Sequence, residues 1–195
     1  MRRIVVLLFL LGLLAGGAVA RPHKPCPAKG SSTDKDVQKL DRGKNRKSVP
    51  EHFKKTVTLE FILGPGKDST RFSNHYAARV EGYIISAERM GGETCNCEST
   101  FPDDFDFHLY IAADSNETVK KRCMVVEITP WSRSIHPDWT IEYIKSLRKK
   151  PVRIGGWMLY DWIHQRNSVK YGKGGNGIWR NTCWEIHPVT SIDPE

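Results

Sequence analysis

Cysteine is scarce, long apolar runs are scarcer, and the usual signatures of catalysis are missing from this chain of 195 residues. The five cysteines include no Cys-x-x-Cys spacing and no second close pair beside Cys95-Asn96-Cys97, which argues against zinc ribbons and thioredoxin-like redox centres. There is no His-Glu-x-x-His. The glycine run Gly172-Lys173-Gly174-Gly175-Asn176-Gly177 lacks the Gly-Lys-Ser/Thr ending of a phosphate loop and reads as a flexible loop. No internal repeat is present, which sets repeat architectures aside. No stretch after residue 20 is apolar for long enough to cross a bilayer as a helix.

What is present begins with a leader. Arg2 and Arg3 precede an apolar run from Ile4 to Leu14, and Ala18-Val19-Ala20 supplies a small-residue cleavage site, the pattern of a secretory signal over residues 1–20. The sequence predicts a soluble, exported product, periplasmic or extracellular, in an oxidising compartment.

Residues 21–55 hold four prolines, many lysines and almost no large apolar side chains. Such a segment buries too little surface to offset its ordering entropy, so it is expected to be a disordered basic arm. It carries 11 Lys+Arg against 4 Asp+Glu, net +7, whereas residues 56–195 carry 17 against 18, net −1. The basic character of the chain therefore belongs to the arm. Any contact with nucleic acid or an anionic surface is expected to be weak, nonspecific and carried there.

About 140 residues remain, enough for one domain. Phe105, Phe107, Leu109 and Ile111 alternate with Asp106, His108 and Tyr110, the period-two signature of a strand with one buried face. Similar alternation marks Arg79–Glu88, Lys121–Thr129, Val152–Tyr160 and Trp179–Ile192, the last bent at Pro188. Gly82 inside the first of these suggests a bulge. Thr56–Leu63 reads as an extra edge strand. A helix is expected after His136-Pro137-Asp138, with Ile141, Ile144 and Leu147 facing a core and Pro151 ending it. Trp184 and Trp157 are assigned to the core. Three strands, one helix and two strands make the plan of a five-stranded OB-fold-like Greek-key barrel over residues 56–195, mainly β, with the helix between strands 3 and 4.

Seven motifs, Val-Glu-Gly-Tyr (80–83), Cys-Asn-Cys (95–97), Asp-Phe-His-Leu (106–109), Val-Val-Glu-Ile-Thr-Pro (125–130), His-Pro-Asp-Trp-Thr (136–140), Val-Arg-Ile-Gly-Gly-Trp-Met-Leu-Tyr-Asp (152–161) and Trp-Glu-Ile-His-Pro-Val (184–189), together resemble a family of small exported bacterial proteins of unknown function, thought to be OB-like. The resemblance covers roughly residues 76–192. It implies export and a barrel, and brings no activity, cofactor or catalytic residue with it.

The chemistry must come from the strands' polar faces. In an OB barrel the third and fifth strands run parallel. Cys123 and Cys183 each stand four residues before Glu127 and His187, so one register sets both pairs side by side. That predicts a Cys123–Cys183 disulfide at one end and a Glu127–His187 couple at the other, on an outward face shared with Asp106, His108 and Glu185. These groups suit a divalent metal such as zinc or acid–base chemistry. The plainer reading is a solvated network of cross-strand charge pairs. For Cys95 and Cys97 the open readings are metal, disulfide exchange, or pairing of one with a distant cysteine such as Cys26.

Two functions fit. One is an exported binding module that holds a polar ligand, an oligosaccharide, nucleotide or peptide, on the outer sheet and long loops, with Tyr110, Trp162, Tyr171 and Trp179 as contacts. The other is a metal-dependent hydrolase built on Asp106, His108, Glu127, Glu185 and His187. No nucleophile or complete catalytic motif can be assembled, so the reading leans to the binding module.

Overall fold

The computed structural model describes residues 26–171 and 177–195; the leader, residues 21–25 and most of the glycine run lie outside the described residues. Five strands, β1 (Ala77–Met90), β2 (Asp106–Ala112), β3 (Met124–Ile128), β4 (Pro151–Tyr160) and β5 (Trp184–Pro194), close a barrel in the order β1-β2-β3-β5-β4. All neighbours are antiparallel except β3 and β5, which run parallel. The fold is the OB-like barrel that the strand order implies.

Alternation decides what fills it. Phe107, Leu109 and Ile111 of β2, Met124, Val126 and Ile128 of β3, and Trp184 and Ile186 of β5 belong to one buried cluster. Residues of the opposite parity turn outward. Trp157 is among these: its indole donates to the Ser48 carbonyl at 2.7 Å, outside the barrel. The bulge in β1 falls between Ile84 and Ser86, not at Gly82. Gly82 meets a different need, because a Cβ there would stand 2.7 Å from the Ala112 carbonyl oxygen and from a Leu59 methyl.

Two segments differ from expectation. Thr56–Leu63 forms no strand: Thr58 accepts a hydrogen bond from the Phe61 amide at 3.2 Å and caps helix α2 (Leu59–Leu63). Leu59 and Ile62, three apart, are buried while Phe61 is exposed, so the helical period fits the barrel end better than the strand period. The helix between β3 and β4 is two short ones, α3 (Pro130–Ile135) and α4 (Ile141–Ser146). Thr129 and Thr140 cap them, and Ile141, Ile144 and Leu147 are buried as the spacing predicts.

The expected disordered arm is folded over the part described, residues 26–55. Asp34 accepts from the Asp36 and Val37 amides and starts helix α1 (Lys35–Lys44). A disulfide joins Cys26 to Cys97. Leu40, Asp41 and Lys44 are buried, and Gly43 lies so close to the barrel that a Cβ would come 2.6 Å from a Leu159 methyl. Composition misjudges this segment because its order rests on a covalent bond and on polar partners supplied by the barrel, neither of which an apolar count registers.

Candidate metal centre

The parity and register that place the outward side chains of β2, β3 and β5 follow from the sequence. Val125 lies opposite Glu185 and Val126 opposite Ile186 in the parallel pair, and the same offset brings Glu127 beside His187, whose Nδ1 is 3.1 Å from Glu127 Oε2. Across the antiparallel pair His108 faces Glu127, with Nε2 3.0 Å from the same Oε2. The expected Glu–His couple therefore exists, with His108 across from it.

Its surroundings differ from expectation. Asp106, His108, Glu127, Glu185 and His187 are each no more than 2 % exposed, because the N-terminal segment and the β1–β2 connection cover this face. The covering elements bring their own charges. Lys44 Nζ lies 2.6 Å from Glu93 Oε2 and 3.4 Å from Asp161 Oδ2. Arg180 reaches Asp161 at 3.7 Å and Glu185 at 2.8 Å. His187 Nδ1 meets Glu185 Oε1 at 3.1 Å, and His108 Nε2 returns to Glu93 Oε1 at 3.5 Å. The contacts close a ring of eight residues alternating in sign: Glu93, Lys44, Asp161, Arg180, Glu185, His187, Glu127 and His108. Asp106 stands outside it, its Oδ2 3.9 Å from His187 Nε2.

Burial works against every charge in the ring and the neighbours restore most of them. Desolvation would lower His108, but the Glu127 and Glu93 carboxylates hold it up at about 10. Desolvation would raise Glu127, and His108, His187 and Lys44 pull it down to about 2. Asp161 is lowered in the same way by Lys44, His164 and Arg180 against its burial. Asp106, whose nearest cation is His187, is left by its burial at about 6.

The disulfide expected between Cys123 and Cys183 does not form; both are free and buried. The parallel ladder stops at Val125. Beyond it the Cys123 thiol donates to the Val119 carbonyl at 3.6 Å, and the Cys183 amide is drawn to Asp68 Oδ2 at 2.8 Å. The bridge is instead the distant one, Cys26 to Cys97, leaving Cys95 a buried thiol.

The aromatic ligand contacts do not lie on an open sheet either. Tyr110 is 5 % exposed, edge-on to Trp179 at 6.3 Å and capped by the Lys120 ammonium. Trp179 also packs on His164 and Arg180, so both rings roof the ion-pair ring. Trp162 and Tyr171 remain exposed, and Trp162 lines a separate cleft of about 690 Å³ against α1.

At the edge of the ring a supported imidazole faces the Asp106 carboxylate. His187 Nδ1 is hydrogen-bonded to Glu185, and Glu185 to Arg180, the second-layer support that fixes a ligating imidazole and aims its other nitrogen. That nitrogen, Nε2, has no hydrogen-bond partner, nor has either Asp106 oxygen. Asp106, Glu127 and His187 each offer one ligand atom within 4.8 Å of the others, and Glu93, His108 and Glu127 do the same. Tetrahedral zinc ligands sit roughly 3.3 Å apart, somewhat closer than the 3.9 Å between Asp106 Oδ2 and His187 Nε2. Glu185, whose Oε1 meets His187 Nδ1, is in neither group. Parity found Asp106, His108, Glu127, Glu185 and His187. Glu93, Lys44, Asp161 and Arg180 were missed, since they come from loops and the arm, where no period marks a face.

No protein-family model matches the chain, and no curated protein matches it in sequence.

Proposed function

We propose that the protein is an exported barrel that holds one divalent cation, zinc being the best fit to the donors, at Asp106, Glu127 and His187. The observation that carries this is the buried, unpartnered set of His187 Nε2 and both Asp106 oxygens, facing each other at 3.9 Å. Unpaired polar atoms cost about 1–3 kcal/mol each when buried, and a ligand for them removes that cost. Charge supports the same reading. With every member of the ring ionised the ring is neutral, so His187 deprotonated and Asp106 ionised together leave −2, the complement of a divalent ion.

Three protein ligands leave a coordination position for water, the arrangement that hydrolytic zinc uses. The depth of the centre favours keeping an ion over turning over a polymer, and the binding-module reading accordingly moves from the covered sheet face to the clefts at its margin. Chelator-stripped protein titrated calorimetrically with Zn²⁺ is expected to bind one equivalent, with release of up to two protons according to buffer and pH. His187→Ala and Asp106→Ala should each weaken binding by a factor of 10 or more. Absence of stoichiometric binding by folded protein would refute the proposal.

A further inference from the structure

A second cleft, about 570 Å³, opens where β2 begins and β3 ends, between α3 and the N-terminal segment; Lys47, Asn96, Asp104, Thr129 and Trp131 line it. Its size is that of a small-molecule site. It lies next to the metal centre: Phe107 pairs with Ile128 and His108 with Glu127, so the next row sets Thr129 opposite Asp106.

Three donors of this cleft have no partner among the described residues, although those of Asn45 and Ser134, which also line it, are engaged. Asn96 is buried, and its Nδ2 has no hydrogen-bond partner. Among the described residues Lys47 makes no ion pair and the Trp131 indole N–H donates to nothing, although other side chains of both kinds are engaged, as in the Lys44–Glu93 pair and the Trp157–Ser48 hydrogen bond. Asp104 holds the Ser99 hydroxyl at 2.5 Å. An amide, an indole N–H and an ammonium, with the Asp104 carboxylate engaged elsewhere on the same wall, call for a ligand rich in oxygen acceptors whose negative charge is directed to Lys47. The half-buried ring of Trp131 adds a flat apolar wall, which suits a ligand with an apolar face as well as polar edges. Sugars have both. We infer that this cleft binds an acidic saccharide, its carboxylate on Lys47, its ring against Trp131 and a ring or hydroxyl oxygen on Asn96.

The inference needs no bound metal, and titrating in chelator keeps it separate from the metal reading. Total fluorescence cannot locate a ligand among six tryptophans, so the readout is the indole N–H signals of ¹⁵N-labelled full-length protein, with that of Trp131 assigned by its loss in Trp131→Ala. Trigalacturonate is expected to shift the Trp131 and Asn96 side-chain signals with a Kd on the order of 1 mM or tighter. Lys47→Ala should weaken it about tenfold, the worth of one charge-assisted hydrogen bond, and Trp131→Ala, on the rim, should abolish it in a protein whose other signals are unmoved. No shift at up to saturating trigalacturonate overturns the inference. So does equal binding of the neutral trisaccharide cellotriose, or binding that survives Lys47→Ala and Trp131→Ala unchanged.

Discussion

Replacing Lys44 with methionine keeps the length of the side chain and removes its charge. The ammonium is 3 % exposed and lies 2.6 Å from Glu93 and 3.4 Å from Asp161, which is itself fully buried. Losing one member of a buried ion pair costs about 3–5 kcal/mol, because the charge left behind has neither water nor partner. Here both abandoned carboxylates retain other contacts, Glu93 with His108 and Asp161 with Arg180 and His164, and Glu93 is 21 % exposed. The expected loss is therefore at the lower end, about 3 kcal/mol. At about 2–4 °C per kcal/mol for a chain of this size, the melting temperature of the metal-free protein should fall by roughly 6–12 °C. Lys47→Met, on the same segment but exposed, should change stability by less than about 0.5 kcal/mol. Urea unfolding followed by circular dichroism gives both values. A Lys44→Met loss below about 1 kcal/mol, or one equal to that of Lys47→Met, would show that the ring does not hold the segment to the barrel.

Asp161 gives the pH dependence. Its folded pKa is lowered by Lys44 from α1, His164 from the turn that follows β4, and Arg180 from the segment before β5. Its contribution is therefore present above the unfolded value of about 3.9 and is lost as pH falls through the folded one. Asp161→Asn should destabilise the protein at pH 7, and the gap between variant and parent should narrow on acidification below about pH 4; a gap that is constant with pH would refute the assignment. The Cys26–Cys97 bridge closes 71 residues of chain, worth about 4 kcal/mol in the loop-entropy account. In Cys26→Ser/Cys97→Ser, trypsin should cut within residues 26–55 before it cuts the barrel, whereas in the parent that segment resists; equal resistance in both would mean that the bridge is not what retains it.

Which parts of this arrangement could be seen in advance depends on whether a residue's position is fixed locally. Period two places Asp106 with His108 and sets Glu127 beside Val125 on one face, and the equal spacing from Cys123 to Glu127 and from Cys183 to His187 gives the β3–β5 register observed at Val125 and Glu185. The same spacing misled on the cysteines, because a shared register says nothing of where a ladder ends. Nothing in Glu93, Asp161 or Arg180 announces its place: each sits in a connection whose path is decided by what it packs on. Tyr110 was read as an open contact from its parity alone. It does point outward, but outward is not exposed once a second layer lies on the sheet.

The second layer is also why residues 26–55 misled. The rule applied to them weighs apolar area against ordering entropy, and by that measure Leu40 is the one large aliphatic side chain that α1 buries. What orders the segment is supplied from elsewhere in the chain: Cys97 for Cys26, Glu93 and Asp161 for Lys44, Thr94 for Asp41. The charge imbalance between the two parts, +7 and −1, suggested a free tether, but one of those cations completes the barrel's own polar face. If the segment were absent, the carboxylates of that face would return to water, where their mutual repulsion is weak. With it in place they are dry, their interactions are strengthened, and Asp106 and His187 are left facing each other with no solvent to satisfy them. Covering the face is therefore the step that takes a set of surface charges out of water and leaves His187 Nε2 and the Asp106 carboxylate without hydrogen-bond partners.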